Sequence, residues 1–168
     1  MKTVTITTKD GKSYSESMDC HSGHPRNMMS HGEFCDRFRI AAALKTFGSR
    51  KLVISTPYSD SVNQAEKAFL EAGGFEVLDI RGLGYTDPNC MPRTTVADMY
   101  RLTKELLRPE ADTVFVSCTG IQVMDGIQAM EKDFGRPVIT SNQVSLWYAL
   151  RRLGVRETTA QGSLFQFL

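Results

Sequence analysis

The sequence lacks an excess of charge of either sign, because 20 Lys and Arg residues are balanced by 19 Asp and Glu residues, giving a formal net charge of +1. A near-neutral chain has no strong electrostatic surface for nucleic acid or for an anionic membrane. We therefore expect no nucleic-acid partner and no membrane partner. A small molecule or another protein chain is the expected partner.

Long apolar runs are also missing, since no stretch approaches the roughly 20 residues that a membrane-spanning helix needs. The N-terminal sequence "MKTVTITTKDGKSY" alternates polar and apolar residues, where a secretory signal would be continuously apolar. The chain has only four cysteines, and without a secretion signal these predict free thiols in a reducing compartment. We expect a cytoplasmic protein.

Strand-like and helix-like segments alternate from residue 36 to the C-terminus, and 168 residues suffice for one domain with a sizeable core. The predicted strands are "KLVIST", "FEVLDI", "DTVFVS" and "PVITS", each followed by a helical pattern. Their continuous apolar runs are typical of strands buried on both faces. Residues 36–168 therefore predict an α/β lobe, a three-layer parallel sheet of the Rossmann or flavodoxin type with helices on both faces, followed by a C-terminal tail.

The first 35 residues lack this alternation of strand-like and helix-like segments and form an atypical N-terminal segment. A β-hairpin is predicted around Asp10-Gly11, followed by a polar arm without periodicity. The arm concentrates side chains of the types that bind zinc, but their spacing fits no zinc motif, and we predict no metal site. These residues are Cys20, His21, His24, His31 and Cys35.

Polar residues follow each predicted strand, in the segments "STPYSDSVN", "RGLGY", "SCTGIQ" and "TSNQ". In open parallel sheets, ligands bind beyond the carboxyl ends of the strands. The hydroxyl, amide and glycine groups in these segments suit a small carboxylate, and one segment adds a thiol. The long loop "RGLGYTDPNCMPRT" is a further candidate binding element.

Cys118 is the thiol in this set, placed between a predicted strand and the predicted helix "GIQVMDGIQAMEKDFG". At a helix N-terminus, the N–H groups of Thr119 and Gly120 can point at an anion, and the same position favours a thiolate. Alternatively, Cys118 is a small apolar residue packed in the core beside Val116. The local sequence leaves both interpretations open.

Several motifs, in a fixed order along the chain, resemble those of a known protein family. They extend over roughly 120 residues, from about Ala41 to the end. They are "TPYSDSVN", the "GLG" loop, the "SCT" cysteine, "GRPVITSNQ" with a tryptophan shortly after it, and the terminal "QGSLF". In these motifs the chain resembles the second half of maleate cis-trans isomerases and arylmalonate decarboxylases. Both belong to the aspartate/glutamate racemase superfamily.

The resemblance implies a cofactor-independent isomerase of the maleate cis-trans type, acting on a small dicarboxylate through a cysteine thiolate. Cys118 would be the catalytic cysteine of this lobe. Tyr58 would hydrogen-bond a substrate carboxylate, and Asn63 would help to shape the pocket.

The same resemblance assigns two further pairs of residues to substrate binding. The backbone amides of Thr119 and Gly120 would cradle the substrate carboxylate. Ser141 and Asn142 would support the site from the start of the last helix.

Members of the superfamily have two lobes, and in racemases and maleate isomerases each lobe carries one cysteine. We expect the usual first lobe to be truncated or replaced here, with Cys20 in "DCHSG" as the candidate for the first-lobe cysteine. We expect a homo-oligomer in which a neighbouring chain completes the cleft. Two alternatives stay open: an arylmalonate-type decarboxylase with a single catalytic cysteine, and a non-catalytic lobe that binds a carboxylate or a partner chain.

Overall fold

The structure, a computed structural model, describes residues 2–7, 13–18, 31–156 and 161–168, with side chains from residue 39 onward. Two compact units are distinguished, Met1–Phe38 and Arg39–Leu168. No helix in the described ranges combines the length and apolar character needed to cross a membrane.

The N-terminal unit contains two antiparallel strands, β1 (Lys2–Thr7) and β2 (Ser13–Met18), with Thr7 opposite Ser13. This pairing flanks the Asp10-Gly11 position that predicts a hairpin. Helix α1 (His31–Thr46) begins six residues before the predicted start at Arg37, within the segment that predicts an arm. The segment 19–30, which carries Cys20, and the side chains of His31 and Cys35 lie outside the described residues.

Four parallel strands form the sheet of the larger unit, in the spatial order β4-β3-β5-β6. The strands are β3 (Lys51–Tyr58), β4 (Glu76–Tyr85), β5 (Thr113–Val116) and β6 (Val138–Thr140). The helices that connect or follow them are α2 (Asp60–Ala72), α3 (Val96–Leu106), α4 (Ile127–Phe134) and α5 (Ser141–Arg152). Short 3-10 turns occupy Pro88–Arg93, Met124–Gly126 and Ser163–Phe167.

Helices cover both faces of this sheet, because alternate strand residues pack into two separate apolar clusters. The first cluster joins Val53, Val114 and Val116 to residues of α3 and α4. The second joins Leu52, Ile54, Phe115 and Ile139 to residues of α1, α2 and α5. The predicted three-layer α/β lobe is confirmed.

The second strand of the sheet, β4, is longer than predicted and continues through "RGLGY" to Tyr85. Tyr85 pairs with Tyr58 after a register shift at Pro57, and a bulge is one of the few strand positions that tolerate proline. Gly82 permits this close pairing, since a Cβ atom there would overlap the carbonyl oxygen of Tyr58. The polar segments after β3 and β4 are therefore partly strand.

The helix predicted to begin directly after Cys118 is wrong at its N-terminal end. Residues 119–121 form a turn, and α4 begins only at Ile127, after a 3-10 turn. Carbonyl oxygens of the turn accept hydrogen bonds from the Asn142 side chain, so a regular helix does not use them. Thr119 and Gly120 are therefore not at a helix N-terminus, contrary to the prediction.

The terminal "QGSLF" motif is held against the lobe by two polar side chains. Glu131 accepts hydrogen bonds from the Ser163 hydroxyl at 2.6 Å and from its backbone N–H at 3.0 Å. Gln143 Nε2 donates to the carbonyl oxygen of Gln161 at 2.6 Å. Leu164 and Phe165 are consequently fully buried in the second cluster, which makes this motif structural.

Candidate active site

The strand order places the end of β5 between the ends of β3 and β6. The Ser117 N–H donates to the carbonyl oxygen of Ser55 at 2.9 Å, which extends the pairing with β3 beyond the last residue of β5. On the other side, Val116 pairs with Thr140, the residue before Ser141. Cys118 therefore leaves the sheet between the strand end that carries Tyr58 and the start of α5.

The Cys118 sulfur lies in a mostly apolar environment, and the residue is only 4% exposed. The backbone N–H of Gly120 donates to Sγ at 3.2 Å, and the Met91 Sδ atom lies 3.8 Å from it. Tyr58 and Met91 both pack against the apolar cluster that contains Cys118. Cys118 thus shows a feature of each interpretation: it is buried in the core, and its sulfur accepts a hydrogen bond from a backbone N–H.

That amide donor changes the predicted role of Gly120. The resemblance implies that its N–H cradles a substrate carboxylate, whereas in the structure it bonds the sulfur of Cys118. Thr119 and Gly120 are both exposed at the surface of the turn. Both residues lie beside the thiol, and the Gly120 amide is directed at the sulfur.

Met91 is the contact that sequence reasoning missed. It lies in the 3-10 turn Pro88–Arg93 between β4 and α3, and it also approaches Gly120. The only signal in the sequence was the unusual length of this loop, which indicated a binding element without identifying a residue. The structure adds that the thioether of Met91 covers the thiol.

Asn142 contacts the turn after Cys118 through its side-chain amide. Its Nδ2 atom donates to the carbonyl oxygens of Thr119 at 3.2 Å and Ile121 at 3.3 Å. The adjacent Ser141 is half-buried as the first residue of α5, which Thr140 and Gln143 start with a capping box. Asn142 thus lies beside the turn that follows Cys118, and both donor bonds described for it reach the backbone of that turn.

Asn63 is buried behind the end of β3, at 1% exposure. Its Oδ1 atom accepts a hydrogen bond from the Thr56 hydroxyl at 2.6 Å, and Thr56 Oγ1 accepts one from the Tyr58 N–H at 3.0 Å. Asn63 Nδ2 has no hydrogen-bond partner among the described residues. Asn63 therefore orders the backbone that carries Tyr58.

Charged groups take no part in the hydrogen bonds described for the Cys118 sulfur, which accepts from the Gly120 N–H and donates to Met91 Sδ. Within the described ranges, no group of three or more His, Cys, Asp or Glu residues could hold a metal ion. Cys20, the weak candidate for a second thiol, lies outside those ranges. The described site thus consists of one thiol, backbone amides, Tyr58 and apolar contacts.

Comparison with known proteins identifies the family of this chain. A family model described as arylmalonate decarboxylase matches residues 11–165. The chain belongs to the arylmalonate decarboxylase family. Over 117 residues it is 31% identical to the arylmalonate decarboxylase of Bordetella bronchiseptica, covering 68% of this chain and 49% of that protein. It is 27% identical to the maleate isomerase of Alcaligenes faecalis over 117 residues, covering 69% and 46%.

Solved structures of the same family share the fold. A crystal structure of arylmalonate decarboxylase matches with a TM-score of 0.72 and 28% identity, covering 79% of this chain and 60% of that one. A cysteine variant of Nocardia farcinica maleate cis-trans isomerase, with a covalently bound succinylcysteine intermediate, matches with a TM-score of 0.76 at 20% identity, covering 79% and 55%. The chain spans about half the length of the curated family members it matches.

Proposed function

We propose that the protein is a cofactor-independent decarboxylase of a small malonate-type dicarboxylate, in which Cys118 delivers the proton. The buried Cys118 sulfur supports this, because it receives the Gly120 N–H in an apolar environment at the carboxyl edge of the sheet. Family membership and the 31% identity to an arylmalonate decarboxylase support the same reaction. Decarboxylation needs only one thiol, and the described residues supply it.

The reaction divides between the two sides of the site. Tyr58 binds the retained carboxylate, while the departing carboxylate lies towards the apolar side near Met91. The bond between the α-carbon and the departing carboxylate breaks and CO₂ leaves. The electron pair of the broken bond stays on the α-carbon and forms an enediolate with the retained carboxylate. The Cys118 thiol protonates the α-carbon, and the resulting thiolate regains a proton from water.

Phenylmalonate is a direct probe of this reaction. We expect the wild-type protein to release CO₂ and phenylacetate, and Cys118→Ser to release neither above the uncatalysed rate. Cys90→Ser is the matched control, since Cys90 is a half-buried thiol in the loop that carries Met91. Equal turnover by the wild type and Cys118→Ser would contradict the proposal.

The second candidate is the maleate cis-trans isomerisation that the sequence motifs imply, favoured by the "SCTGIQ" segment and the 27% identity to a maleate isomerase. The Cys118 thiolate adds to one alkene carbon, while a second acid, for which Cys20 is the candidate, protonates the other. After rotation about the new single bond, the conjugate base of that acid removes the proton, and elimination restores the double bond and the thiolate. Formation of fumarate from maleate, without CO₂ release from phenylmalonate, would favour this reaction.

A non-catalytic lobe would bind these dicarboxylates and turn over neither. Isothermal titration calorimetry with each compound distinguishes a non-catalytic lobe from an enzyme. Binding heat without product formation in either assay would support the non-catalytic lobe. A lobe of this kind would also bind equally well in the wild type and in Cys118→Ser.

A second copy of the chain is the proposed second wall of the cleft, which the family builds from a second lobe. Light scattering during size-exclusion chromatography measures this directly, and we expect an oligomer with activity that falls on dilution. A fully active monomer would contradict it. Cytoplasmic location stays a prediction.

A further inference from the structure

We propose that Asn142 is a positioning residue that fixes the peptide between Thr119 and Gly120, so that the Gly120 N–H points at the Cys118 sulfur. This role rests on the proposed function, in which Cys118 is the reacting thiol. It differs from the substrate-binding role that the resemblance implies for Asn142. The reasons lie in the geometry of a single peptide group.

The carbonyl of Thr119 and the N–H of Gly120 belong to the same planar peptide unit and point in opposite directions. The carbonyl oxygen accepts from Asn142 Nδ2 at 3.2 Å, while the N–H donates to Cys118 Sγ at 3.2 Å. The Asn142 side chain therefore holds the carbonyl end of this peptide unit, and the Cys118 sulfur accepts from its N–H end. Rotation of this peptide would break both bonds at once.

Such a rotation needs to be opposed, because glycine has far more backbone freedom than other residues. Asn142 opposes it with a second bond, from Nδ2 to the carbonyl oxygen of Ile121 at 3.3 Å. Ile121 is itself buried at 1% exposure and anchors the far side of the turn. The amide thus bridges the two carbonyls on either side of Gly120.

An asparagine side chain suits this bridge because its NH₂ group offers two donors, one for each carbonyl. Its backbone is fixed by the start of α5, where Thr140 and Gln143 form the capping box. Both hydrogen bonds described for Nδ2 go to the carbonyl oxygens of the turn. The side chain therefore acts through the turn.

The chemical consequence concerns the ionised form of the thiol. A hydrogen bond to the sulfur stabilises the thiolate more than the neutral thiol, and donation to the carbonyl of the same peptide strengthens that N–H as a donor. Among the described residues, the other hydrogen-bond neighbour of the sulfur is the uncharged Met91. No charged side chain in the described ranges bonds the sulfur, so the Gly120 N–H is the polar donor that it receives there.

Alkylation of Cys118 by iodoacetamide, followed by mass spectrometry of its peptide across a pH series, tests the role without any substrate. We expect Asn142→Ala to react about ten-fold more slowly than the wild type at neutral pH, because the Gly120 N–H no longer points at the sulfur. The rate at high pH should match the wild type, because access is unchanged. Ser145→Ala is the matched control, since Ser145 lies in the same helix and its hydroxyl donates to the Ser141 carbonyl.

Two results would overturn the role: an unchanged profile for Asn142→Ala, or faster alkylation at every pH, which would mean that the side chain only closes the turn. If Asn142→Ala does not fold, Asn142→Asp keeps the shape and removes both donors. Its alkylation rate at neutral pH must then fall further than that of Gln122→Glu, an exposed charge control on the same loop. An equal fall in both would show a charge effect alone and would also overturn it.

The alkylation profile is independent of the proposed reaction. A wild-type protein that turns over neither phenylmalonate nor maleate would contradict the proposed function, while a shifted profile for Asn142→Ala would still support the positioning of Cys118. Conversely, an active enzyme with an unshifted profile would overturn only the role of Asn142. The two failures are therefore distinguishable.

Discussion

The Cys118 Sγ atom lies 3.8 Å from the Met91 Sδ atom. This contact joins the loop after β4 to the turn after β5, two segments separated by helix α3 in the chain. Met91 is half-buried and also packs against the apolar cluster that contains the thiol. The low exposure of Cys118 therefore depends on a residue that no strand or helix of the sheet supplies.

Replacing Met91 by alanine is expected to uncover the thiol. The limiting rate of Cys118 alkylation at high pH, which reports access, should rise several-fold. Met91→Leu keeps an apolar side chain of similar volume and should leave that rate near the wild-type value. An equal rise in both variants would mean that the thioether, and not the covered volume, protects Cys118.

Gly82→Ala is expected to destabilise the lobe by about 2–3 kcal/mol, as overpacking does in a well-packed site. The new Cβ would overlap the carbonyl oxygen of Tyr58 and would lie 2.9 Å from Asn63 Nδ2. Urea unfolding measures the loss. Gly73→Ala is the control, because Gly73 ends α2 with a negative φ of −77° in exposed surroundings, and its change should stay within about 1 kcal/mol.

The bond between Thr56 and Asn63 predicts a coupled pair. Thr56→Val should cost about 1–3 kcal/mol, because it leaves the buried Asn63 carbonyl oxygen without its donor. In the double variant with Asn63→Ala, the total loss should fall short of the sum by about 1 kcal/mol. Additive losses in urea unfolding would contradict the coupling.

Turnover measurements distinguish the hydrogen bond between Thr56 and Asn63 from a buried hydrogen bond with a purely structural role. The Ser49 and Thr113 hydroxyls form a buried hydrogen bond of 2.6 Å near the amino ends of β3 and β5. Ser49→Ala should lower stability without changing turnover of phenylmalonate. Thr56→Val should lower turnover as well, since Thr56 holds the N–H of Tyr58.

Asp98 predicts a pH dependence of stability. Its carboxylate accepts hydrogen bonds from the Thr95 side chain and backbone, and these hold the pKa of Asp98 below its ordinary value of 3.8. A lowered folded-state pKa adds stability above the unfolded value, and that stability is lost as pH falls through the folded value. The stability difference between the wild type and Asp98→Asn should therefore be constant near neutral pH and shrink below about pH 4. A difference that persists into strong acid would contradict it.

Local patterns were sufficient to predict the α/β lobe, because the apolar runs and the glycine-ended helical segments each specify an element without distant contacts. Helix α5 is an example, since Thr140 and Gln143 cap it within four residues. The end of β4 was not predictable in this way. Its extension to Tyr85 depends on Gly82 approaching Tyr58 on a neighbouring strand.

The candidate site was likewise predictable from the sequence only in part. The residues after each strand were predictable, because parallel strands bring their carboxyl ends to one edge. The roles of those residues were not. The spacing of "SCTGIQ" indicated a helix start, whereas the donors of Asn142 hold the segment as a turn.

By itself, the sequence determined the strands, the layers and the edge of the sheet at which Cys118 lies, because hydrophobic periodicity and strand polarity act locally. Only the tertiary structure decided what surrounds the sulfur. Met91 contacts the sulfur from a separate loop, and Asn142, from the start of α5, holds the turn whose Gly120 N–H bonds the sulfur. Hydrogen-bond direction and burial exist only once those segments are packed together, so neither is encoded in the spacing of residues.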